Sequence, residues 1–176
     1  MIRAVAVFHW SQESPLSEIE IRQATIEDAN LILEFVRELA IYEKAEHEVS
    51  ATVVDIENAL FRSETTTEAV ICSIAGRPIG FAVYFFNFST WLGRHGLYLE
   101  DLYVSPEYRG SGAGKALLKH LARIAVANGC GRFEWTVLDW NEPARRFYES
   151  IGAEPQSEWV NYRLAGQALA DFAASP

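Results

Sequence analysis

A glycine-rich turn between a predicted strand and a predicted helix offers the clearest chemistry in this chain. After Val104-Ser105-Pro106, the run Arg109-Gly110-Ser111-Gly112-Ala113-Gly114-Lys115 places three glycines within five positions. Glycine lets the backbone come close to a phosphate group, and the free N–H groups and dipole at a helix start supply positive potential. The segment therefore predicts a phosphate cradle, with a purely structural glycine turn as the alternative.

Two familiar phosphate-binding motifs do not fit the spacing of this turn. A nucleotide P-loop needs a glycine five positions before its Gly-Lys pair and Ser or Thr after it, where this chain has Arg109 and Ala116. A dinucleotide fingerprint starting at Gly110 or Gly112 needs its third glycine at Lys115 or Leu117. Both motifs are therefore excluded.

Two further segments carry groups suited to proton transfer. Glu100 and Asp101 lie in the middle of an otherwise apolar run that ends at Val104, where a buried charge is costly unless it serves a function. Asn141 is typical of a helix N-cap, and Tyr148 follows along the same predicted helix. A function is therefore the better explanation of the two carboxylates.

Together these segments resemble the GNAT superfamily of N-acetyltransferases. The turn matches the family's Arg/Gln-x-x-Gly-x-Gly/Ala loop, and Phe147-Tyr148 followed by Gly152-Ala153 is similar to its tyrosine helix. Within the superfamily the resemblance is greatest to the diamine (spermidine/spermine) and thialysine acetyltransferases, over roughly residues 19 to 173. It also rests on Glu38-Leu39-Ala40-x-Tyr42-Glu43, Trp91-Leu92-Gly93, Tyr98-Leu99-Glu100-Asp101 and Trp140-Asn141-Glu142-Pro143.

The resemblance implies an acetyl-CoA-dependent enzyme that acetylates a small cationic amine. An alkylammonium has a pKa of ~10.4, so presenting the neutral amine at pH 7 costs ~4.6 kcal/mol. Glu100 would take that proton, with simple attraction of the cation as the alternative role. Tyr148 would protonate the departing CoA thiolate, unless it only packs with its hydroxyl satisfied.

Cofactor-binding residues follow from the same resemblance. The loop from Arg109 to Lys115 would hold the pyrophosphate of coenzyme A, and Leu102 N–H would donate to the developing oxyanion. Val104 would also border the cofactor. Asn141 would bind the CoA arm, for which helix capping is an equally adequate explanation.

The resemblance places the amine among acidic and aromatic side chains, which suit an alkylammonium. The implied substrate-binding residues are Tyr42, Glu43, Trp91, Asp101 and Tyr162. This chain departs from the polyamine enzymes at Ser89-Thr90, where they have an acidic residue and a proline, and at Tyr162, where they have a tryptophan. Fewer acidic contacts argue against long polyamines and leave open a shorter diamine, a lysine-like amino acid such as thialysine, or another small amine.

Two other functions share part of this pattern. A non-catalytic acyl-CoA-binding domain would keep the loop but has no need of Glu100 together with Tyr148. A protein or peptide acetyltransferase would need an open groove, which a sequence does not reveal. The resemblance also implies a homodimer.

The elements that must position these residues alternate between short strands and amphipathic helices. This pattern predicts an α/β domain, and the resemblance implies a GNAT-like fold with a mixed, mostly antiparallel central sheet flanked by helices. Strands are predicted at 19–24, 68–75, 78–88 (joined to the preceding strand through Gly76-Arg77-Pro78), 97–104, 132–138 and 159–164. Helices are predicted from a Thr25–Asp28 cap to Lys44, after Thr52, and at 112–128 and 142–151.

Composition limits the partners. The 176 residues suit one domain, predicted at 19–176 behind an N-terminal extension at 1–18, and the net charge of -9 disfavours nucleic acid and anionic membranes. Cys72 and Cys130 are far apart, and the four histidines show no metal-ligand spacing. We therefore expect reduced thiols, a cytoplasmic protein and no metal.

Overall fold

The computed structural model describes residues 19–175, so the predicted extension at 1–18 lies outside the described residues. Within them, five strands form one sheet in the order β1-β2-β3-β4-β5. The strands are β1 (Ile19–Gln23), β2 (Thr67–Ile74), β3 (Arg77–Ser89), β4 (Arg94–Val104) and β5 (Phe133–Trp135). The first four pair antiparallel and β5 pairs parallel to β4. The predicted mixed, mostly antiparallel sheet is thus confirmed.

The helices of the described residues are α1 (Ala29–Glu43), α2 (Val53–Phe61), α3 (Ala113–Ala127), α4 (Glu142–Ser150) and α5 (Gly166–Ala174). On one face, Phe35 of α1 packs on Phe81 of β3, with ring centroids 5.6 Å apart, and on Tyr103 of β4. On α3, Leu117 and Leu121 are fully buried, as the helical spacing of apolar residues predicts. Burial of these side chains fixes β4 between α1 and α3.

The start of α1 confirms the predicted Thr25–Asp28 cap. Asp28 Oδ2 accepts a hydrogen bond from Thr25 N at 2.8 Å, and both Asp28 oxygens accept from the Arg22 guanidinium at 2.7 Å. The hydrogen bond from Arg22 is the main reason why the pKa of Asp28 falls to about 2. This pair ties the edge strand to the first helix.

Two predictions about strands and turns are wrong. The β2–β3 turn is Ala75-Gly76, not Gly76-Arg77-Pro78, because both residues adopt positive φ angles of 50° and 75° that match a type I′ hairpin. The segment 159–164 forms no strand, although its residues favour one. A strand requires a neighbouring backbone to pair with, so β propensity alone does not produce it. Helix α5 was not predicted at all.

Among the described residues, 19–136 form one compact unit and 137–175 form a second one. The first unit contains the sheet with α1, α2 and α3. The second contains α4, an irregular segment and α5. No helix among residues 19–175 is long and apolar enough to cross a membrane.

Candidate active site

Strand β4 contains a β-bulge at Glu100. Asp101 lies opposite Val83 of β3, whereas Leu99 lies opposite the next residue, Tyr84, so Glu100 has no partner position. Because side chains alternate between the faces of a strand, one extra residue shifts the alternation. Asp101 therefore shares the α1 face of the sheet with Val83, and the bulge sets the direction of this carboxylate.

A cluster of three carboxylates surrounds this bulge. Burial, and then the negative charges of Glu100 and Glu43, together raise the pKa of half-buried Asp101 to about 6. Burial also raises the pKa of Glu43, the last residue of α1. The structure thus brings together the three acidic residues that the sequence assigned to the amine, which we call the carboxylate cluster (Glu43, Glu100 and Asp101). Mutual repulsion of such groups is relieved by a bound cation.

The edge of β4 that faces β5 is open beside this cluster. Pairing between β4 and β5 ends at Leu99 and Trp135, so residues 100–104 pair only with β3 within the first unit. The predicted residues Leu102 and Val104 belong to this part of β4. An unpaired strand edge presents backbone N–H and C=O groups that an extended amide-bearing ligand can bind. The amide-bearing arm of coenzyme A has that chemistry.

The glycine-rich loop ends at the N-terminus of α3, where Ala113 N donates to Ser111 Oγ at 3.4 Å. The first α3 bond runs from Ala116 N to Gly112 O at 2.9 Å, so the preceding amides at 113–115 lie at the helix start. Gly112 adopts a φ of 93°, and a Cβ added at Gly110, Gly112 or Gly114 would meet no atom within 4 Å. The first turn carries Lys115 and no acidic residue. These features fit a bound pyrophosphate.

The side chain of Arg109 turns from this loop towards α1 and β4. Its guanidinium carbon lies 4.5 Å from the centre of the Tyr42 ring, and its Nε donates to Val104 O at 3.2 Å. The Tyr103 ring lies 5.9 Å away. Sequence reasoning missed the contribution of Tyr103, because its position in an apolar strand is typical of a core residue.

Tyr103 in turn links β4 to α1. Burial, then a hydrogen bond donated to Glu38, raises the pKa of the Tyr103 hydroxyl to about 12. Glu38 belongs to the motif that supports the family resemblance, and this motif is the signal that could have identified the contact. The C-terminal half of α1 is thus joined to β4 through Glu38, which accepts from Tyr103, and through Tyr42, which stacks with Arg109.

Trp91 does not join the carboxylate cluster within this chain. It lies at the tip of the β3–β4 hairpin and is 87% exposed. Asp101 is near the opposite end of β4, which separates the two residues by roughly 20 Å of strand. Its role in amine binding stays a prediction.

The second unit carries the remaining predicted residues. Asn141 Oδ1 accepts a hydrogen bond from Ala144 N at 3.4 Å and so caps α4. Tyr148 lies in the last turns of the same helix, with its ring 5.7 Å from that of Phe147. Tyr162 lies in the irregular segment and is 91% exposed. The cap accounts for Asn141 structurally, and the catalytic and binding roles of all three stay predictions.

Comparison with known proteins shows the family of this chain. Residues 32–153 match the Acetyltransferase (GNAT) family. The chain is 34% identical to thialysine N-epsilon-acetyltransferase of Mus musculus over 90% of this chain and 99% of that protein. It is 37% identical to L-ornithine N5-acetyltransferase of Arabidopsis thaliana over 70% of this chain and 51% of that protein.

A solved structure supports the same conclusion. An integron cassette protein from the mobile metagenome of V. cholerae superimposes with a TM-score of 0.75 and 31% identity, over 89% of this chain and 98% of that one. The chain therefore belongs to the GNAT acetyltransferase family and is an N-acetyltransferase.

Proposed function

We propose that this protein transfers the acetyl group of acetyl-CoA to a primary amine of a small dicationic or lysine-like compound. The carboxylate cluster supports this proposal most directly, because a partly buried group of like charges favours a cation. Two similar proteins are named for thialysine and L-ornithine, amino acids that carry a second amine. Long polyamines fit less well, since Ser89-Thr90 supply no further acidic side chain.

The cluster also offers a proton acceptor. A general base works best when its pKa lies near the working pH. Asp101, with a pKa of about 6, meets this condition, while the family resemblance favours Glu100, which is exposed. We propose that the two carboxylates accept this proton together, with Asp101 supplying a pKa near the working pH and exposed Glu100 supplying a route to solvent.

The other residues would act on the thioester. Acetyl-CoA supplies a carbonyl carbon that bonds to the amine nitrogen while the C–S bond breaks. The first-turn amides of α3 would hold the pyrophosphate, and Leu102 N–H would donate to the carbonyl oxygen. Tyr148 would give its proton to the sulfur, and the carboxylates would receive the proton released by nitrogen.

A thiol-release assay with matched amines tests the substrate class. 1,5-Diaminopentane and 5-aminopentan-1-ol have the same length but differ in one charge. We expect kcat/KM to favour the diamine and the lysine-like amino acids by about tenfold at low salt, and the preference to shrink as salt screens the charges. Equal rates for the two amines, or a preference that ignores salt, would contradict a cationic substrate.

Tyr148→Phe tests the proposed acid. It should lower kcat substantially and leave the Kd of acetyl-CoA unchanged, since only a proton is removed. An unchanged kcat would assign Tyr148 to packing.

We further propose a homodimer that acts in the cytoplasm, where the free thiols of Cys72 and Cys130 stay reduced. Light scattering of the purified protein tests the dimer.

A further inference from the structure

The side chain of Arg109 turns from the glycine-rich loop towards α1. Its guanidinium stacks on the Tyr42 ring at 4.5 Å, and its Nε donates to Val104 O at 3.2 Å. An arginine that uses its ring face and its Nε in this way has a fixed direction. The guanidinium therefore contacts α1 through the Tyr42 ring and β4 through Val104 O.

The residue that Arg109 holds is adjacent to the carboxylate cluster. Tyr42 precedes Glu43, whose charge raises the pKa of Asp101. Helix α1 ends immediately afterwards, where Lys44 takes a left-handed φ of 61°. Helix ends have fewer backbone hydrogen bonds than helix interiors, so side-chain contacts have more influence on their position.

We propose that Arg109 is a positioning residue for the amine site: its side chain fixes Tyr42 and hence Glu43, while the loop amides bind the cofactor phosphates. The amine site and the phosphate loop are then coupled through one arginine. This inference rests on the proposed function only where it is tested by the kinetics of amine acetylation. The contact between Arg109 and Tyr42 is testable without any substrate.

A double-mutant cycle measures this contact in the kinetics. At saturating acetyl-CoA, Arg109→Ala should raise the KM of the amine about threefold to tenfold, the range of a cation–π contact, with kcat within twofold. In a Tyr42→Leu background, Arg109→Ala should have little further effect on KM. In a Tyr42→Phe background, which keeps the ring, it should raise KM as much as in the wild type.

Arg77 provides a matched control, because it stacks on Tyr108, the residue that precedes Arg109. Its guanidinium lies 5.8 Å from the Tyr108 ring, so Arg77→Ala removes a comparable contact beside the same loop. It should leave the KM of the amine unchanged. An equal rise in KM for Arg77→Ala would show a general effect of loop charge and would overturn the positioning role.

Two results separate this inference from the alternative that Arg109 binds phosphate. If the Arg109 side chain bound the cofactor phosphate, Arg109→Ala would lower the affinity for acetyl-CoA in calorimetry. It would then leave the KM of the amine at saturating acetyl-CoA unaltered, and its effect would be the same with or without the Tyr42 ring. Either of the last two results overturns our inference.

The double-mutant cycle of Arg109 and Tyr42 can also be measured on the free energy of unfolding, which requires no enzymatic turnover. Coupling between Arg109 and Tyr42 in stability supports the contact, and additivity overturns it. If the wild type acetylates no amine, the proposed function fails, while the stability cycle still decides the inference.

Discussion

Replacing Asp101 with asparagine should stabilise the folded chain at neutral pH while impairing catalysis. The carboxylate is half-buried beside Glu43 and Glu100, and its pKa is raised from 3.8 to about 6. A group whose folded pKa is raised binds protons more tightly in the fold, so its ionisation reduces stability as pH rises from about 4 to about 6. Asparagine removes that charge and keeps a similar shape.

The magnitude follows from the two pKa values. The difference between 3.8 and about 6 corresponds to about 3 kcal/mol at most. Solvent around a half-buried group reduces this upper limit, so we expect a gain of about 1–2 kcal/mol. For a chain of this size the gain raises the Tm by about 2–8 °C.

Chemical denaturation from pH 4 to pH 7.5 measures the effect. The advantage of Asp101→Asn should be small at pH 4, grow through pH 6, and level off above pH 7. Glu64→Gln removes one exposed charge and serves as the control, with stability changed by less than about 0.5 kcal/mol. The kcat/KM for a dicationic amine should fall about tenfold or more in Asp101→Asn alone. A mutant that is less stable at pH 7.5, or equally stabilised at every pH, would refute this electrostatic account.

Three further changes test other parts of the structure. Gly114→Val should weaken acetyl-CoA binding about tenfold or more in calorimetry. The free energy of unfolding should change by less than about 0.5 kcal/mol, because a Cβ at this position meets open space. Gly114→Ala, which fits the family loop, is the control. Asp28→Asn should cost about 1–2 kcal/mol at pH 7, and the difference should narrow as pH falls from 3.8 towards 2, where wild-type Asp28 loses its charge and its pairing with Arg22. Ala75→Asn should raise the free energy of unfolding by about 0.5–1 kcal/mol, since asparagine before Gly76 suits a type I′ turn.

Local pattern was sufficient for most elements of the first unit. Apolar spacing predicts α1 and α3, and β-rich runs predict β2 to β4, because each element buries one face against its neighbours. It was insufficient for the segment 159–164, where a strand depends on a pairing partner that sequence does not specify. It also failed at Ala75, since alanine gives no signal of a positive φ.

In the candidate site, too, local sequence pattern predicts some features and not others. The identities of Glu100, Asp101 and the glycine-rich loop are apparent from residue types and spacing. The contact of Arg109 with Tyr42 joins residues far apart in the sequence, and no local pattern reports it. The loop motif even favours a different role for this arginine, because the motif describes what the backbone binds and says nothing of where the side chain turns.

The bulge at Glu100 explains how neighbouring carboxylates can serve one cation. On a regular strand Asp101 would face α3 if Tyr98 faced α1, because side chains alternate. The extra residue lets Asp101 follow Val83 onto the α1 face, where Glu43 ends the helix. The resulting repulsion lowers stability, and the aromatic packing of Phe35 on Phe81 and Tyr103, in the core on the same face of the sheet, offsets that loss. The folded chain tolerates this repulsion, and the dicationic amine that we propose as substrate would relieve it on binding.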